Sequence, residues 1–449
     1  MPLPGPRTPA AHLRVLRHLT RFPADALATM RPRYGPVFGV GFGPLRYVAM
    51  LGPEANRFIL ADHADRFRWR DAMAILIPVD GDTAMVVSDG EDHRRRRRAA
   101  QPAFAAKHIH AALSLMIEEF TRELTSWPLD QPVDALVALR RPINRVTLRW
   151  LFGDRLDRAD EFATTLDVTI GFVNQPPWRQ VKLDLPGTRW RAALRARAGS
   201  DRIVHEEIGR RRRAGVVTEH RDVLDTLLAA REEDGSPSLN DQEIRDQLIS
   251  LIAASYDTIG SAAAWALHAL LSDPSLWHDL TDEVDAVVGG DDLRVEHLSR
   301  LPLLDAVVNE TLRLWPPTSV SGRRAVEGFE FADQWVPAGS MVLYSPYVTH
   351  RMPELWPQAD TFLPQRWQGL EIDHYTFLPF GGGLRRCIGF VFALQQLKTL
   401  LVTVVRSVEL SPAYTDLTPV GVPALHPAEG LPVRVVRRRH HPSEVAIHG

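Results

Sequence analysis

The sequence predicts a mainly α-helical protein with small β-sheets, folded as a single large domain. Apolar residues recur at helical spacing over long segments, as in "AALSLMIEEFTRELTSW" and "RDVLDTLLAAREED". Strand patterns are confined to the short pieces "YGPVFGVGFGPLRYVAML", "FEFADQWVPAGSMVLYS" and "LPVRVVR". No repeat of solenoid length and no long low-complexity linker divides the chain. We therefore expect one domain over residues 1–449, with short tails at about 1–25 and 438–449.

Composition and charge argue against several functional classes. The chain is 45% hydrophobic and 24% charged, as in ordinary soluble globular proteins. Its 53 basic and 55 acidic residues leave a net charge of −2, so no overall field favours nucleic acid or an anionic membrane. A single cysteine excludes intrachain disulfides and multi-cysteine zinc sites, and fits a reducing compartment. The segment "MPLPGPRTPAAHLRVLRHL" has neither a membrane-spanning length of apolar residues nor a signal-peptide core, so we expect a cytoplasmic protein.

One predicted helix is long enough to cross the whole domain. It runs from Asp241 to about Asp273, which at the helical rise is roughly 50 Å. Its middle is apolar nearly all round and should be buried. The polar exceptions, residues 255–258, need hydrogen-bond partners or a function.

The stretch "FLPFGGGLRRCIGFVFA" contains the single cysteine, Cys387, just before a second apolar helix. The helix N-terminus, its free amides and neighbouring Arg385 and Arg386 favour a thiolate over a thiol. Glycines at 381, 382, 383 and 389 permit close approach of a large flat molecule to the backbone. These residues alone leave two alternatives to a ligand role for Cys387. It could be a buried, inert cysteine, or it could be the nucleophile of a Cys/His enzyme, although none of the 17 histidines carries a local signature of the base. "GGGLRR" is not a phosphate loop, since the Gly-Lys-Ser/Thr ending is missing.

These residues closely resemble the haem-binding signature of the cytochrome P450 superfamily. The matching positions are Phe380, Gly383, Arg385, Cys387 and Gly389, followed by Phe392 and Ala393. The resemblance covers roughly residues 30 to 440 and implies the cytochrome P450 fold with haem b as cofactor. It implies that Cys387 is the metal ligand, as the proximal thiolate of the haem iron, with donation tuned by amides at the helix start.

Two further segments fit this resemblance. "NETLRLWPP" places Glu310 and Arg313 three residues apart among apolar neighbours, so we predict a buried pair that needs additional hydrogen bonds. "TFLPQRW" resembles the meander of the family, which implies that Arg366 joins this pair. The usual glutamate of the meander is Gln365 here.

The five consecutive arginines of "DHRRRRRAAQPAF" suggest nucleic-acid binding, which the balanced net charge disfavours. On a helix, five consecutive residues circle the axis, so at least one arginine must point inward. The resemblance implies that the haem propionates are bound by His93, Arg97, Arg323 and Arg385. We expect the remaining arginines at 94, 95 and 98 to face solvent, where they can form a docking surface with Arg386.

The segment "ASYDT" of the long helix resembles the oxygen-activation segment of the family, which implies catalytic roles for Asp257 and Thr258. Ser255 replaces the usual glycine. A threonine within a helix can donate to the carbonyl four residues earlier, here that of Ala254, and disturb the regular ladder. The alternative is a packed threonine with that same bond and no catalytic role.

The implied function is that of a soluble bacterial-type cytochrome P450 monooxygenase, which hydroxylates or epoxidises an apolar organic substrate with O2. Its electrons would come from NAD(P)H through a separate ferredoxin or flavodoxin, because the chain has no flavin or iron–sulfur segment. We expect a monomer that acts in secondary metabolism. A lipid, terpenoid or polyketide-like substrate is expected from the mostly aliphatic candidates for the pocket, Ile75, Ile77, Phe172, Ala254, Val320 and Val422.

Other functions remain open for a chain of this type. An isomerase, a dehydratase or a peroxide-driven variant would need no electron donor, but the presence of Asp257 and Thr258 argues against these. A non-catalytic haem or lipid carrier is the alternative from outside the enzymes.

Overall fold

A computed structural model describes residues 3–6, 8–41, 46–156, 158–173, 175, 179–215, 222–421 and 424–439. This part of the chain is mainly helical, which confirms the predicted fold class. Its α-helices are α1 (Pro9–Arg21), α2 (Pro23–Tyr34), α3 (Pro53–Arg57), α4 (Arg70–Met73), α5 (Ile77–Asp80), α6 (Gly90–Ala100), α7 (Ala106–Ala111), α8 (Leu113–Ser126), α9 (Ala135–Phe152), α10 (Ala159–Val173), α11 (Arg189–Ala214), α12 (Val223–Ala229), α13 (Asp241–Ser272), α14 (Pro274–Val288), α15 (Val295–Leu298), α16 (Pro302–Leu314), α17 (Pro346–Thr349) and α18 (Phe390–Ser407).

The strands are short and form small sheets, as the sequence predicts. They are β1 (Val37–Val40), β2 (Tyr47–Met50), β3 (Phe67–Arg68), β4 (Pro132–Asp134), β5 (Ser321–Ala325), β6 (Phe329–Phe331), β7 (Gln334–Val336), β8 (Met341–Tyr344), β9 (Val408–Pro412), β10 (Pro419–Val420), β11 (His426–Pro427) and β12 (Pro432–Arg438). The largest sheet has the order β1-β2-β8-β5-β3, in which β2 and β8 pair in parallel and the other neighbours are antiparallel. This sheet carries Arg323 on its buried strand β5.

The long central helix α13 agrees with its prediction to within one residue. It begins at a capping box, in which the Asn240 side chain accepts from the Glu243 amide and the Glu243 carboxylate accepts from the Asn240 amide. It ends before Pro274, which starts α14 because proline cannot continue a helix. Helices α9, α16 and α18 pack around it, so its middle lies in the main core.

Helix α18 follows the cysteine segment and packs against α8, α13 and α14. Within the described residues it is the one helix that is long and apolar enough to cross a membrane. Of that apolar window, 61% is buried inside the protein, as expected of a core helix. Its apolar character therefore serves packing against the central helix.

The N-terminal segment differs from the expected tail. Residues 9–21 form α1, because Thr8 caps its first turn by accepting from the Ala11 amide. Val15 and Leu19 then pack against the apolar cluster beside β1 and β2. At the other end, β12 pairs with β4 and β9 as far as Arg438, and residues 440–449 lie outside the described residues.

Candidate active site

Cys387 lies in the turn that leads from a short 3-10 segment, Gly383–Arg385, into α18. Its amide donates to the Phe380 carbonyl at 2.9 Å, which closes the loop between the two segments. Protein surrounds the thiol closely enough to desolvate it, but the Cys387 residue keeps an accessible surface. The sulfur is thus open to a ligand.

Opposing effects set the pKa of the Cys387 thiol. Burial raises the pKa of the Cys387 thiol above its ordinary value. A hydrogen bond from the Gly389 amide and the charges of Arg97 and Arg386 lower that pKa, but burial outweighs them. The helix start and the arginines thus favour a thiolate, as predicted, and burial opposes them. Coordination to a metal cation reverses the balance, because a metal-bound thiol loses its proton.

At Gly383 the structure gives an additional reason for a glycine. Its φ is +58°, and a Cβ there would overlap the backbone carbonyl of Leu60. The missing side chain therefore permits close approach of the π-helical turn Phe58–Asp62 of the protein itself. At Gly389 a Cβ would only touch the Phe104 ring, at 3.4 Å.

Four basic side chains gather beside the cysteine segment, and all four are those predicted as propionate partners. His93 and Arg323 are buried, Arg385 is half-buried, and burial lowers the pKa of each. For His93 the pKa falls to about 3, with the nearby charges of Arg385 and Arg97 adding to the effect of burial. Burial lowers the pKa of Arg97 as well. The three arginines are a concentration of positive charge in a poorly solvated place, and the lowered pKa of His93 leaves its imidazole neutral beside them.

Asp89 is the carboxylate that partners this cluster, and sequence reasoning missed it. Its Oδ1 accepts from Arg385 at 2.6 Å, and its two oxygens also accept from the amides of Trp69 and Arg70. The Trp69 ring lies 3.6 Å from the guanidinium carbon of Arg323 and 5.4 Å from that of Arg385. Stacking of two arginines on one indole keeps both guanidinium groups near the cysteine segment.

This cluster fits a dianionic ligand such as haem, which carries two propionates. Among the residues that the structure describes, no side-chain hydrogen bond or ion pair is found for His93 or Arg97. Within the same part of the chain, the Arg323 guanidinium donates to neutral groups, which are the Gly322 carbonyl and the hydroxyls of Ser321 and Tyr344. Buried cations need counter-ions, and one aspartate cannot supply them all. The donors on the protein side therefore suit haem carboxylates, and the open Cys387 sulfur would be available to hold the iron.

The arginine run divides between inward and outward positions. Arg96 is buried and, with half-buried Arg95, binds the Glu243 carboxylate at the start of α13. The expectation that Arg95 faces solvent is wrong, because the N-terminus of the central helix passes close to α6 and supplies this acid. Arg94 and Arg98 are exposed, and both pair with Glu91.

On the central helix, the expected bond from the Thr258 hydroxyl to the Ala254 carbonyl is present at 2.7 Å. Ser255 donates to the Ile252 carbonyl at 3.0 Å and contacts the Thr147 hydroxyl at 3.1 Å. The helix remains α-helical throughout this region, so Ser255 introduces no break. Ala254 is exposed and Thr258 half-exposed, although most of the residues around them on α13 are buried.

Asp257 lies on a different face of the central helix from Thr258 and is buried. Its Oδ1 lies 2.7 Å from Nη2 of Arg140 on α9. The Arg140 guanidinium also lies over the Tyr256 ring, 5.6 Å from its centroid. Nothing in the sequence near Arg140 signals this role, since the two residues are more than a hundred positions apart.

Glu310, Arg313 and Arg366 come together as the sequence predicts. Glu310 and Arg313 are fully buried, with 2.8 and 2.9 Å between their paired oxygen and nitrogen atoms. Arg366 donates to Glu310 at 2.9 Å. The carboxylate also accepts from the Leu363 amide and the Trp367 indole, so the further hydrogen bonds that a buried pair needs are present.

The structure places the substrate-pocket candidates in different surroundings. Phe172 is buried with its ring 5.1 Å from that of Trp190, and Ile75 is 48% exposed. Ile77 is half-buried on α5, and Val320 packs against the core between α2 and α17. Val422 lies outside the described residues.

Comparison with known proteins decides the family. The family model described as cytochrome P450 matches residues 2–420. The chain belongs to this family. The resemblance seen in the motifs is therefore confirmed, and with it the family's haem-thiolate cofactor and its general activity as a haem monooxygenase.

Relatives of this cytochrome P450 occur in actinobacteria. A Mycobacterium tuberculosis protein named as cytochrome P450 139 is 37% identical over 428 residues, which is 92% of this chain and 98% of the relative. The cyclooctat-9-en-7-ol 5-monooxygenase of Streptomyces melanosporofaciens is 32% identical over 405 residues. The alignment covers 88% of this chain and 86% of that relative. Cyclooctatin synthase of the same organism is also 32% identical, over 84% of this chain and 83% of its own.

Solved structures confirm the cytochrome P450 fold. A retinoic acid-bound cyanobacterial protein, CYP120A1, superposes with a TM-score of 0.85 at 25% identity, and the match covers 98% of this chain and 99% of that one. The heme domain of cytochrome P450DA gives the same TM-score at 23% identity, covering 97% of this chain and 98% of its own.

Proposed function

We propose that this cytochrome P450 binds haem b through Cys387 and inserts one oxygen atom of O2 into an apolar substrate. The observation that carries the proposal is a set of buried and half-buried basic side chains next to an open cysteine sulfur: His93, Arg97, Arg323 and Arg385. Such a set is costly without an anionic ligand, and haem supplies both the anion and the metal.

Haem with a thiolate ligand supplies the activation of O2 when it is bound. The protein contributes proton transfer and the exclusion of water. The Thr258 hydroxyl can release its bond to the Ala254 carbonyl and donate to a ligand on the open face of α13. Asp257, held by Arg140 on another face of the helix, is the group that passes protons from solvent towards that hydroxyl through water.

The electrons come from NAD(P)H through a ferredoxin or flavodoxin that binds near the cysteine. The positive surface that binds the electron donor consists of three exposed arginines, Arg94, Arg98 and Arg386. Glu91 pairs with Arg94 and Arg98 and offsets part of their charge, so the surface is weaker than the sequence suggests. Exposed Asp92 lies next to Glu91 but is close to Arg95 and Arg96, so the three exposed arginines still favour an acidic partner.

The substrate is an apolar compound of the terpenoid class, which the protein oxidises in the cytoplasm as a step of secondary metabolism. Two relatives are named cyclooctat-9-en-7-ol 5-monooxygenase and cyclooctatin synthase. One structure with the same fold holds retinoic acid. The aliphatic and aromatic candidates Ile77, Phe172 and Ala254 suit such ligands.

The test is turnover of the haem-loaded protein with NADPH, a ferredoxin, its reductase and ¹⁸O₂. Cyclic terpenoid alcohols, fatty acids and macrolides are first screened for a shift of the haem spectrum, and those that bind are then incubated. We expect one ¹⁸O atom in the product for each NADPH consumed in the coupled reaction. Product without ¹⁸O indicates an isomerase or dehydratase. Equal activity with hydrogen peroxide alone indicates a peroxide-driven enzyme, and binding without NADPH consumption indicates a carrier.

A further inference from the structure

Residues 77–85, here called the strap, lie across the N-terminal half of the central helix. The Arg245 guanidinium on α13 donates to the carbonyls of Val79 and Asp80, at 3.3 and 3.0 Å. The amide and hydroxyl of Thr83 both donate to Oδ2 of Asp246, at 2.9 and 2.6 Å. Polar contacts that involve the strap backbone therefore hold it to one helix.

Gly81 lets the strap approach Asp246 closely. Its φ is +95°, which disfavours other residues, and a Cβ there would overlap the Asp246 carboxylate. Further along, the Met85 amide donates to Gln247 at 2.7 Å, and the Gln247 amide group donates to the Thr83 carbonyl at 2.9 Å. The fit between strap and helix is close at each of these points.

A second helix, α11, holds the strap from the other side. Arg197 donates to the carbonyl of Pro78 at 2.8 Å. Asp201, one turn further along α11, accepts from Arg245 at 2.6 Å and lies 3.7 Å from Arg197. The strap is thus clamped between α11 and α13. It begins with the pocket candidate Ile77 and lies two residues after the other candidate, Ile75.

Asp80 is the one carboxylate in this clamp without an ionic partner. It is 4% exposed, its Oδ2 accepts from the Ser250 hydroxyl at 3.2 Å, and its Oδ1 has no hydrogen-bond partner. The two arginines that face it, Arg197 and Arg245, already pair with carboxylates.

The charges around Asp80 balance only when it is neutral. Arg197 and Arg245 carry two positive charges, and Asp201 and Asp246 carry two negative ones. Helix α10 also packs on α5, but its Glu161 pairs with Arg158 and its Asp167 faces Tyr256 and Arg140, while Asp160 is exposed. Burial raises the pKa of Asp80 to about 7, with Ser250 and Arg245 acting in the opposite direction.

We propose that Asp80 is a protonation latch, which holds the strap closed when it is neutral and releases the strap from α11 and α13 when it ionises. In an open strap Asp80 is solvated and titrates near its ordinary value of 3.8. The closed strap therefore binds the proton more tightly, so its extra stability is complete below about pH 4 and is lost as the pH rises to about 7. Release of the strap widens access to Ile75 and Ile77, a consequence that rests on the proposed function.

Hydrogen–deuterium exchange of the strap amides in the haem-loaded protein tests the latch. After correction for intrinsic exchange, we expect the opening of residues 77–85 to increase by up to tenfold per pH unit between about pH 5 and 7, and to level off above that range. Asp80→Asn, which mimics the neutral acid, should remove this dependence. Asp82→Asn is the matched control, because Asp82 lies in the same strap and is 71% exposed, and it should keep the profile of the unmodified protein.

Ser250→Ala supplies a second variant that does not depend on the stability of Asp80→Asn. Loss of the hydroxyl that favours the ionised form should move the transition to higher pH. An unchanged profile in both Asp80→Asn and Ser250→Ala, or strap exchange that does not vary with pH, overturns the latch.

Access is measured separately, as the association rate of tert-butyl isocyanide, an uncharged apolar haem ligand, followed by absorbance. We expect the rate to rise over the same pH range and to be constant in Asp80→Asn. If strap exchange follows the latch while association does not, the latch stands and the placement of Ile75 and Ile77 on the substrate path fails.

Discussion

Arg140 on α9 forms an ion pair with Asp257 on the central helix, with 2.7 Å between Nη2 and Oδ1. The side chain of Asp257 is 8% exposed and that of Arg140 is 21% exposed, so the arginine is the member that reaches towards solvent. Gly260, one turn along α13, leaves room for it, since a Cβ there would lie 3.0 Å from Arg140 Cγ. The acid that we propose for proton transfer is thus held from outside its own helix.

Replacement of Arg140 should impair coupled turnover without loss of haem. Arg140→Gln leaves the Asp257 carboxylate buried without its counter-ion, which is unfavourable. We expect product formation to slow by roughly tenfold or more, the lower part of the range for a lost proton-transfer group. Arg141→Gln, the exposed neighbour on α9, is the control and should behave like the unmodified protein. Equal rates in the two variants would mean that the pair only stabilises the fold.

The axial ligand is tested by Cys387→Ser. We expect the unmodified protein, reduced and exposed to carbon monoxide, to give the spectrum typical of thiolate ligation. The serine variant should lose that spectrum, because a hydroxyl is a much weaker ligand than a thiolate. An unchanged spectrum in Cys387→Ser contradicts the assignment.

The proton-transfer role of Thr258 predicts a change in coupling. Thr258→Ala should still bind haem and substrate and still consume NAD(P)H through its donor, but more of the electrons should end as hydrogen peroxide. The measurement is product formed per reductant oxidised, with peroxide counted alongside. Thr258→Ser keeps the hydroxyl and should restore most of the coupling. Unchanged coupling in Thr258→Ala would make this threonine a packed residue and leave the transfer to water or Ser255.

Docking of an acidic electron donor predicts a dependence on ionic strength. Reduction of the haem by a ferredoxin, followed by stopped flow, should slow as salt shortens the screening length below about 10 Å. Arg94→Glu combined with Arg386→Glu should slow it further and weaken the salt dependence. Arg300→Glu combined with Arg434→Glu makes the same change of net charge, at an exposed residue of the turn between α15 and α16 and at an exposed residue of β12. If this control slows reduction as much as the paired change, the donor binds elsewhere.

The buried Glu310 predicts a large loss of stability on substitution. Burial by itself raises the pKa of Glu310, but hydrogen bonds from Arg313, Leu363 and Trp367 bring it below its ordinary value of 4.5. Its contribution to the free energy of unfolding is therefore present above about pH 4.5 and lost as the pH falls through the lowered pKa. Glu310→Ala leaves Arg313 buried without its acid, which costs about 3–5 kcal/mol.

Urea unfolding at pH 7 measures this loss, and the exposed Glu296→Ala serves as the control, with an expected change within about 0.5 kcal/mol. A loss below about 1 kcal/mol in Glu310→Ala would contradict the role of this pair in the fold.

The frame around Cys387, the length of the central helix and the Glu310–Arg313 pair were all predictable from the sequence. Each depends on residues a few positions apart, and helical geometry fixes how such residues lie relative to one another. The bond from Thr258 to the Ala254 carbonyl belongs to the same class, since it lies within one turn. Patterns of this local kind, together with the family motif, determine the fold class and the candidate ligand of the haem.

Only the tertiary structure decides which charges meet across the fold. Three ion pairs join residues that are more than a hundred positions apart in the chain: Asp89 with Arg385, Glu243 with Arg96, and Asp257 with Arg140. The pKa of the Cys387 thiol also depends on tertiary structure. The helix end and the arginines that lower this pKa can be seen in the sequence, but the burial that outweighs them cannot. Burial and the position of counter-ions arise from the packing of distant segments, and these two quantities set the electrostatic free energy of every group in the site.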